Sequence, residues 1–282
     1  MMRARLAAIL LATAAAAPAI AQPPSSVVIS EEPDAQAEPC QACIAESRLI
    51  QQKIDAALKA PDRPMEHRLR DDGRQIRRLI ETVWPAQRMV VGSRVLDVAS
   101  GGGYLALVFS SLVGETGHVD IHNTPGWIAQ FPSMDPERQQ GWIKRASIGW
   151  KIEPWNDLDA PPQSYDIILL GQVYHDIVLE GGDVVALNQR FFDMLTPGGR
   201  VIIEDHDAIA TMPLAQQVNL HRISKGDVIG HFLEAGFTLA AEAEIESRYD
   251  DRKMNVFWPN VRGRTDRYFL VFEKPFDGNP AQ

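Results

Sequence analysis

The apolar positions of this chain change period near Gly92. Before it, from about Ile44 to Leu58, they recur at three- and four-residue spacing, which predicts an amphipathic helix, and Ala60-Pro61-Asp62-Arg63-Pro64 breaks the pattern. A second helix is predicted from Met65 to Val83, with Arg68, Arg70, Arg74, Arg77 and Arg78 mostly on its solvated side. After Gly92, short apolar runs alternate with helical segments. Strands are predicted from Val95 to Ala99, His118 to His122, Tyr165 to Leu170, Arg200 to Glu204, Thr238 to Ile245 and Tyr268 to Glu273. Helices fall from Tyr104 to Leu112, up to Leu195, and from Asp227 to Ala235 before Gly236. Strands that alternate with helices imply parallel pairing by right-handed crossovers, hence a doubly wound α/β sheet. The last two strands have no helical pattern between them and predict an antiparallel edge pair.

The chain start carries a different signal. Arg3 and Arg5, an apolar stretch from Leu6 to Ala17, and Ala19-Ile20-Ala21 before Gln22 predict a secretory signal peptide over residues 1–21 and export, in a diderm bacterium to the periplasm. Residues 22–43 read as a flexible leader, 44–90 as N-terminal helices, 91–275 as the α/β domain and 276–282 as a tail. No later stretch is long and apolar enough for a membrane span. The 282 residues carry 28 Lys and Arg against 37 Asp and Glu, a net charge of −9. Removal of Arg3 and Arg5 leaves 26 basic residues against 37 acidic, or −11. Such a balance argues against nucleic acid or an anionic membrane as the main partner. The two cysteines form Cys40-Gln41-Ala42-Cys43. In an oxidising compartment a local disulfide is the simple reading and a redox role the alternative; haem attachment would need His where Ile44 stands, and zinc a second ligand pair.

The chemistry centres on Asp97-Val98-Ala99-Ser100-Gly101-Gly102-Gly103, where the first strand turns into the first helix. Gly101 and Gly103 let the backbone bend tightly toward a ligand, and the helix from Tyr104 aims its amide end at whatever is bound. Asp97 can receive an ammonium group. A carboxylate facing a glycine bend suits an amino-acid-bearing nucleoside and repels a pyrophosphate.

With Ser164-Tyr165-Asp166-Ile167-Ile168-Leu169 and Leu195-Thr196-Pro197-Gly198-Gly199-Arg200-Val201 following, the chain from Arg94 to Lys274 resembles the class I S-adenosylmethionine-dependent methyltransferases. The resemblance implies a mostly parallel seven-stranded sheet with an antiparallel edge strand, here behind an N-terminal helical extension. It implies S-adenosylmethionine as cofactor and a small-molecule methyl acceptor, and it assigns Asp97, Ala99, Gly101 and Gly103 to the cofactor. Ala99 stands where the family has its first glycine. Asn123 replaces the usual acid for the ribose hydroxyls, and Asp157 is the residue expected at the adenine amino group.

A narrower resemblance is to a group of signal-bearing, largely uncharacterised methyltransferase-like proteins. It rests on Ala60-Pro61-Asp62-Arg63-Pro64, Val173-Tyr174-His175-Asp176, Glu204-Asp205-His206, His221-Arg222-Ile223, Asn255-Val256-Phe257 and Arg262-Gly263-Arg264-Thr265-Asp266-Arg267. Tyr174, His175 and Asp176 follow the fourth strand, and Asp205 and His206 the fifth, at the ends where ligands bind in doubly wound sheets. His175, Asp205 and His206 are therefore the catalytic candidates, the two histidines as general base. Tyr174, Asp176, His221 and Arg222 are the substrate-binding candidates, and no metal site is expected. A structural histidine or a helix cap is the alternative for each. The rival to catalysis is an exported binding protein that keeps the fold alone.

Overall fold

The structure, a computed structural model, describes residues 41–83 and 91–276. The predictions for the signal peptide, for Cys40 with most of the leader, and for the last six residues lie outside the described residues. The described residues from Ala45 onward belong to one compact unit.

The elements are α1 (Gln41–Leu58), α2 (Met65–Arg68), α3 (Asp71–Arg74), α4 (Ile76–Val83), β1 (Arg94–Val98), α5 (Tyr104–Val113) and β2 (His118–Asn123). Next come α6 (Pro125–Gln130), α7 (Pro136–Trp142), β3 (Ile148–Ile152), β4 (Tyr165–Gly171), α8 (Tyr174–Leu179), α9 (Val184–Met194) and β5 (Leu195–His206). The chain closes with α10 (Leu214–Asn219), α11 (Lys225–Glu234), β6 (Thr238–Ile245) and β7 (Arg267–Glu273). The sheet runs β3-β2-β1-β4-β5-β7-β6. Strands β1 to β5 pair in parallel, and β7 lies antiparallel between β5 and β6.

Successive strand residues point to opposite faces, and both faces are covered, so the central strands read as unbroken apolar runs. Val95, Ile167, Leu169, Ile202, Phe269 and Val271 pack with α4 and α5 on one side. Leu96, Val98, Ile168, Leu170, Val201, Ile203, Leu270 and Phe272 pack with α9 and α11 on the other. Each fully buried side chain of this kind contributes roughly 1.5–3 kcal/mol.

The strand order reverses between β1 and β4, where Asp97 pairs with Leu169 and Val98 with Leu170. A crevice therefore opens beyond the carboxyl ends of these two strands.

Two expectations change. The helix from Met65 to Val83 is three short helices, broken where Gln75 adopts a left-handed φ of 48°. The break frees backbone carbonyls: Arg267 donates to Gly73 O and to Arg74 O, oxygens a continuing helix would use itself. Arg74 is not on a wet face but buried against Glu204. The strand β3, which no apolar run announced, is a half-exposed edge strand containing Gly149; a Cβ there would lie 2.4 Å from Asp120 Oδ1. Among the described residues, no helix is long and apolar enough to cross a membrane.

Candidate active site

The glycine turn leaves β1 with Ala99 (φ 49°), Gly101 (φ 60°) and Gly103 (φ 78°) all left-handed. Left-handed backbone costs Ala of order 1–2 kcal/mol, strain that structures hold most often at functional sites. The end of β2 restrains the turn. Ala99 N donates to His122 Nδ1 (3.3 Å) and Ser100 N to His122 O (2.9 Å), while His122 Nε2 donates to Glu153 O (2.8 Å). Burial lowers His122 to about 4, so its ring is neutral.

Asn123 closes the turn. Its Oδ1 accepts from Gly101 N (2.9 Å) and its Nδ2 donates to Gly101 O (3.2 Å). Gln139, buried in α7, donates from Nε2 to the same carbonyl (2.7 Å), and its Oε1 accepts from Trp150 Nε1 (2.9 Å). Both side-chain groups of the expected ribose residue are thus engaged by the turn, and neither His122 nor Gln139 was singled out in the sequence.

Asp97 is buried rather than open at a mouth. Its carboxylate accepts from Ser100 Oγ (2.6 Å) and from the Ala106 amide in the first turn of α5. Burial pushes it up to about 7; those two hydrogen bonds and the more distant Arg74 only partly offset the effect. No cation pairs with it among the described residues. Asp157 is exposed on the turn after β3, beside Trp155, whose indole donates to Glu180 (2.7 Å) together with that of Trp127 (2.6 Å).

The second group of candidates gathers at the ends of β4 and β5. His175 Nδ1 donates to Asp205 Oδ1 (2.6 Å), and the amides of His175 and His206 donate to the same carboxylate (3.1 and 2.7 Å). His175 Nε2 lies 3.3 Å from Asp176 Oδ1, which also accepts from His221 Nδ1 (2.7 Å). His175, Asp176 and His221 each place a possible metal-ligand atom within 4.8 Å of the others. Burial alone would lower His175; the carboxylates of Asp205 and Asp176 override it and raise the imidazole to about 10. His206 goes the opposite way. Burial and the positive charges of His175, Arg267, Arg222 and Arg74 hold it well below 6.5.

This opposition distinguishes the two histidines as possible bases. A cationic His175 has no lone pair to accept a proton, and Asp205 orients it from full burial. His206 stays neutral, with Nδ1 donating to Thr265 Oγ1 (2.7 Å) in the tautomer that leaves the Nε2 lone pair free. Imidazole carbon and nitrogen shifts should therefore show His175 protonated at pH 8 and His206 neutral at pH 6; common titration near 6.5 would contradict the geometry. Because His175 is raised, its pairing stabilises the fold fully below about 6.5, and this contribution is lost as pH rises through about 10.

Two substrate-binding expectations also change. Tyr174 is buried in the core beside α11, its hydroxyl accepting from Asn188 Nδ2 (2.8 Å). Arg222, fully buried, makes a bidentate pair with Asp250 (2.9 and 2.6 Å) and donates to two carbonyls. Both side chains are engaged by partners within the chain. Asp176 and His221 remain half-buried, His221 edge-on to Phe257 at 4.7 Å.

Beside His206 lies a cavity of about 600 Å³. Gln172, His206, Thr265 and four arginines, Arg70, Arg74, Arg262 and Arg267, line it with Leu69, Val256 and Phe257. Glu204 beneath it receives Arg74, Arg267 (2.6 Å) and Gln172 Nε2 (2.9 Å). Of these, only Glu204 and Arg267 lay in quoted motifs; Arg74 escaped because its partner is 130 residues away.

This architecture recurs among solved structures. A candidate sarcosine dimethylglycine methyltransferase from Galdieria sulphuraria superposes with a TM-score of 0.53 at 15% identity, over 72% of this chain and 86% of that one. A chain of the Haloferax volcanii complex between the Trm112 methyltransferase activator and a candidate methyltransferase does so at 0.54 and 16%, over 80% and 97%. A candidate methyltransferase from Bacillus halodurans gives 0.50 and 16%, over 70% and 98%. The fold is that of the S-adenosylmethionine-dependent methyltransferases. The family of protein-L-isoaspartate(D-aspartate) O-methyltransferases matches residues 80–130, the segment holding β1, the glycine turn, α5 and β2. No curated protein matches the chain.

Proposed function

We propose that this chain is an S-adenosylmethionine-dependent methyltransferase acting on a small-molecule acceptor held in the cavity beside His206. The observation that carries this reading is Asp97: a buried carboxylate beside the glycine turn that pairs with no cation among the described residues. A ligand ammonium would supply the missing charge, so the residues fit the amino-acid end of the cofactor. Asp97 and the turn of Ala99, Gly101 and Gly103 would hold that end, Asn123 the ribose and Asp157 the adenine amino group. When bound, the cofactor supplies a methyl group on a positively charged sulfur.

The chain's own work is then alignment and proton transfer. Gln172, itself left-handed at φ 61°, and Thr265 border the space where the acceptor would lie. His206 Nε2 takes the proton that the attacking hydroxyl or amine gives up. His175 acts behind it, its positive charge helping to keep His206 neutral, and Asp205 orients His175. The engagement of Asn123 by Gly101 favours a second reading, ligand binding without turnover.

Incubating the protein with methyl-labelled S-adenosylmethionine and pooled carboxylates, phosphates, amines and alcohols separates the two. Formation of S-adenosylhomocysteine with label in one acceptor is the expected result. Cofactor binding without label transfer to any pool would support the second reading.

A further inference from the structure

We infer that the cavity beside His206 recognises a small molecule carrying an oxyanion, a carboxylate or phosphate group, on an apolar body, and that Arg70 and Arg262 are its recognition residues. This rests on the proposed methyl-acceptor site and names the class of ligand that site takes.

The charge count comes first. Four guanidinium groups line the cavity and one buried carboxylate, Glu204, lies beneath it. Glu204 is saturated by Arg74, Arg267 and Gln172, so it has no capacity left for Arg70 or Arg262. Among the described residues neither of these two is in an ion pair. Arg70 comes from the chain between α2 and α3, and Arg262 from the loop before β7. Arg70 stacks on the Tyr104 ring, 5.0 Å from its centroid, which fixes the direction of its guanidinium. Desolvation and the positive charges of Arg74 and Arg262 lower its pKa against the opposing pull of Tyr104 and Glu204, so Arg70 and Arg262 are near enough to repel one another. Both arginines are exposed, so solvent screens part of that repulsion, and an anion seated at the cavity would offset the rest. The planar forks of Arg suit the paired oxygens of carboxylate or phosphate.

Leu69, Val256 and Phe257 supply an apolar wall in the same cavity. An anion with a hydrocarbon or aromatic body would place its charge at the arginines and its body on this wall. His206 lines the same space, so a nucleophile on the ligand would sit within reach of its Nε2.

Calorimetry on the full chain tests this with phenyl phosphate, benzoate and uncharged benzamide as probes. Phenyl phosphate or benzoate should bind at least tenfold tighter than benzamide, and the stronger of the two identifies the oxyanion. Arg70→Gln with Arg262→Gln should weaken that binding by at least tenfold and flatten its salt dependence, with unfolding unchanged. Arg68→Gln, an exposed residue outside this cavity, should leave it unaltered. Equal binding of benzamide, or full affinity in the double variant, would overturn the inference. Parallel titration with S-adenosylhomocysteine keeps the outcomes apart. Anion binding without S-adenosylhomocysteine binding would leave this site standing and remove the methyltransferase reading, and the reverse would do the opposite.

Discussion

Glu204→Gln is expected to destabilise the fold by about 3–5 kcal/mol, because it removes the one carboxylate that neutralises two buried guanidinium groups. Glu204 is 1% exposed, and Arg74 and Arg267 are 9% and 6% exposed. The amide keeps the shape and the bond from Gln172 but not the charge. Urea unfolding of the variant measures the loss; a change below about 1 kcal/mol would mean that the arginines reach water in the folded state. Substituting Arg74→Met, Arg267→Met and Glu204→Leu together should cost less than Glu204→Gln alone, since both charges leave with their counter-charge. The pH dependence has a definite sign. Burial works to raise Glu204, but Arg74 and Arg267 outweigh it and hold it below its usual value of 4.5. Its contribution is therefore present above pH 4.5 and is lost as pH falls through the lower folded value.

Asp97→Asn should separate binding from stability. A charge-assisted hydrogen bond contributes roughly 1.5–3 kcal/mol, about ten- to a hundredfold in affinity, and an unpaired ligand ammonium adds to the loss. S-adenosylhomocysteine should thus bind at least tenfold more weakly. The amide oxygen still accepts from Ser100 and Ala106, so the start of α5 stays capped. Asp97 is raised above its usual 3.8 to about 7, so its burial as a carboxylate weighs against folding as pH climbs through that interval. The Asn variant should therefore be at least as stable as the parent at pH 8. Unchanged affinity with lowered stability would make Asp97 a helix cap and nothing more.

Much of the frame was legible because it rests on local periodicity. Residues Ile167 to Leu170 and Val201 to Ile203 read as buried strands, and Asp97 to Gly103 as the turn between strand and helix, from neighbouring residues alone. What escaped depends on partners far apart in sequence. The break at Gln75 exists because Arg267, nearly two hundred residues later, takes the carbonyls of Gly73 and Arg74. Arg222 reads as a substrate-binding candidate from its neighbours in sequence, whereas Asp250, 28 residues later, pairs with it in the fold. The opposite charge states of His175 and His206 follow from Asp205, Asp176 and three arginines, and adjacency in sequence says nothing of them. Asn123 shows the same limit at the site: as a bare replacement for the usual acid it invites Asn123→Asp, yet the acid would lose the bond to Gly101 O and press a charge on that carbonyl.

The central claim, that the glycine turn and Asp97 hold S-adenosylmethionine, is tested most directly by calorimetry of the unmodified protein with S-adenosylhomocysteine across pH 6 to 9. One ligand should bind per chain. Affinity should fall as pH drops below about 7, because the ammonium needs an ionised Asp97 and that carboxyl protonates there. No detectable heat at millimolar ligand, or an affinity that does not change between pH 6 and 9, would contradict the account.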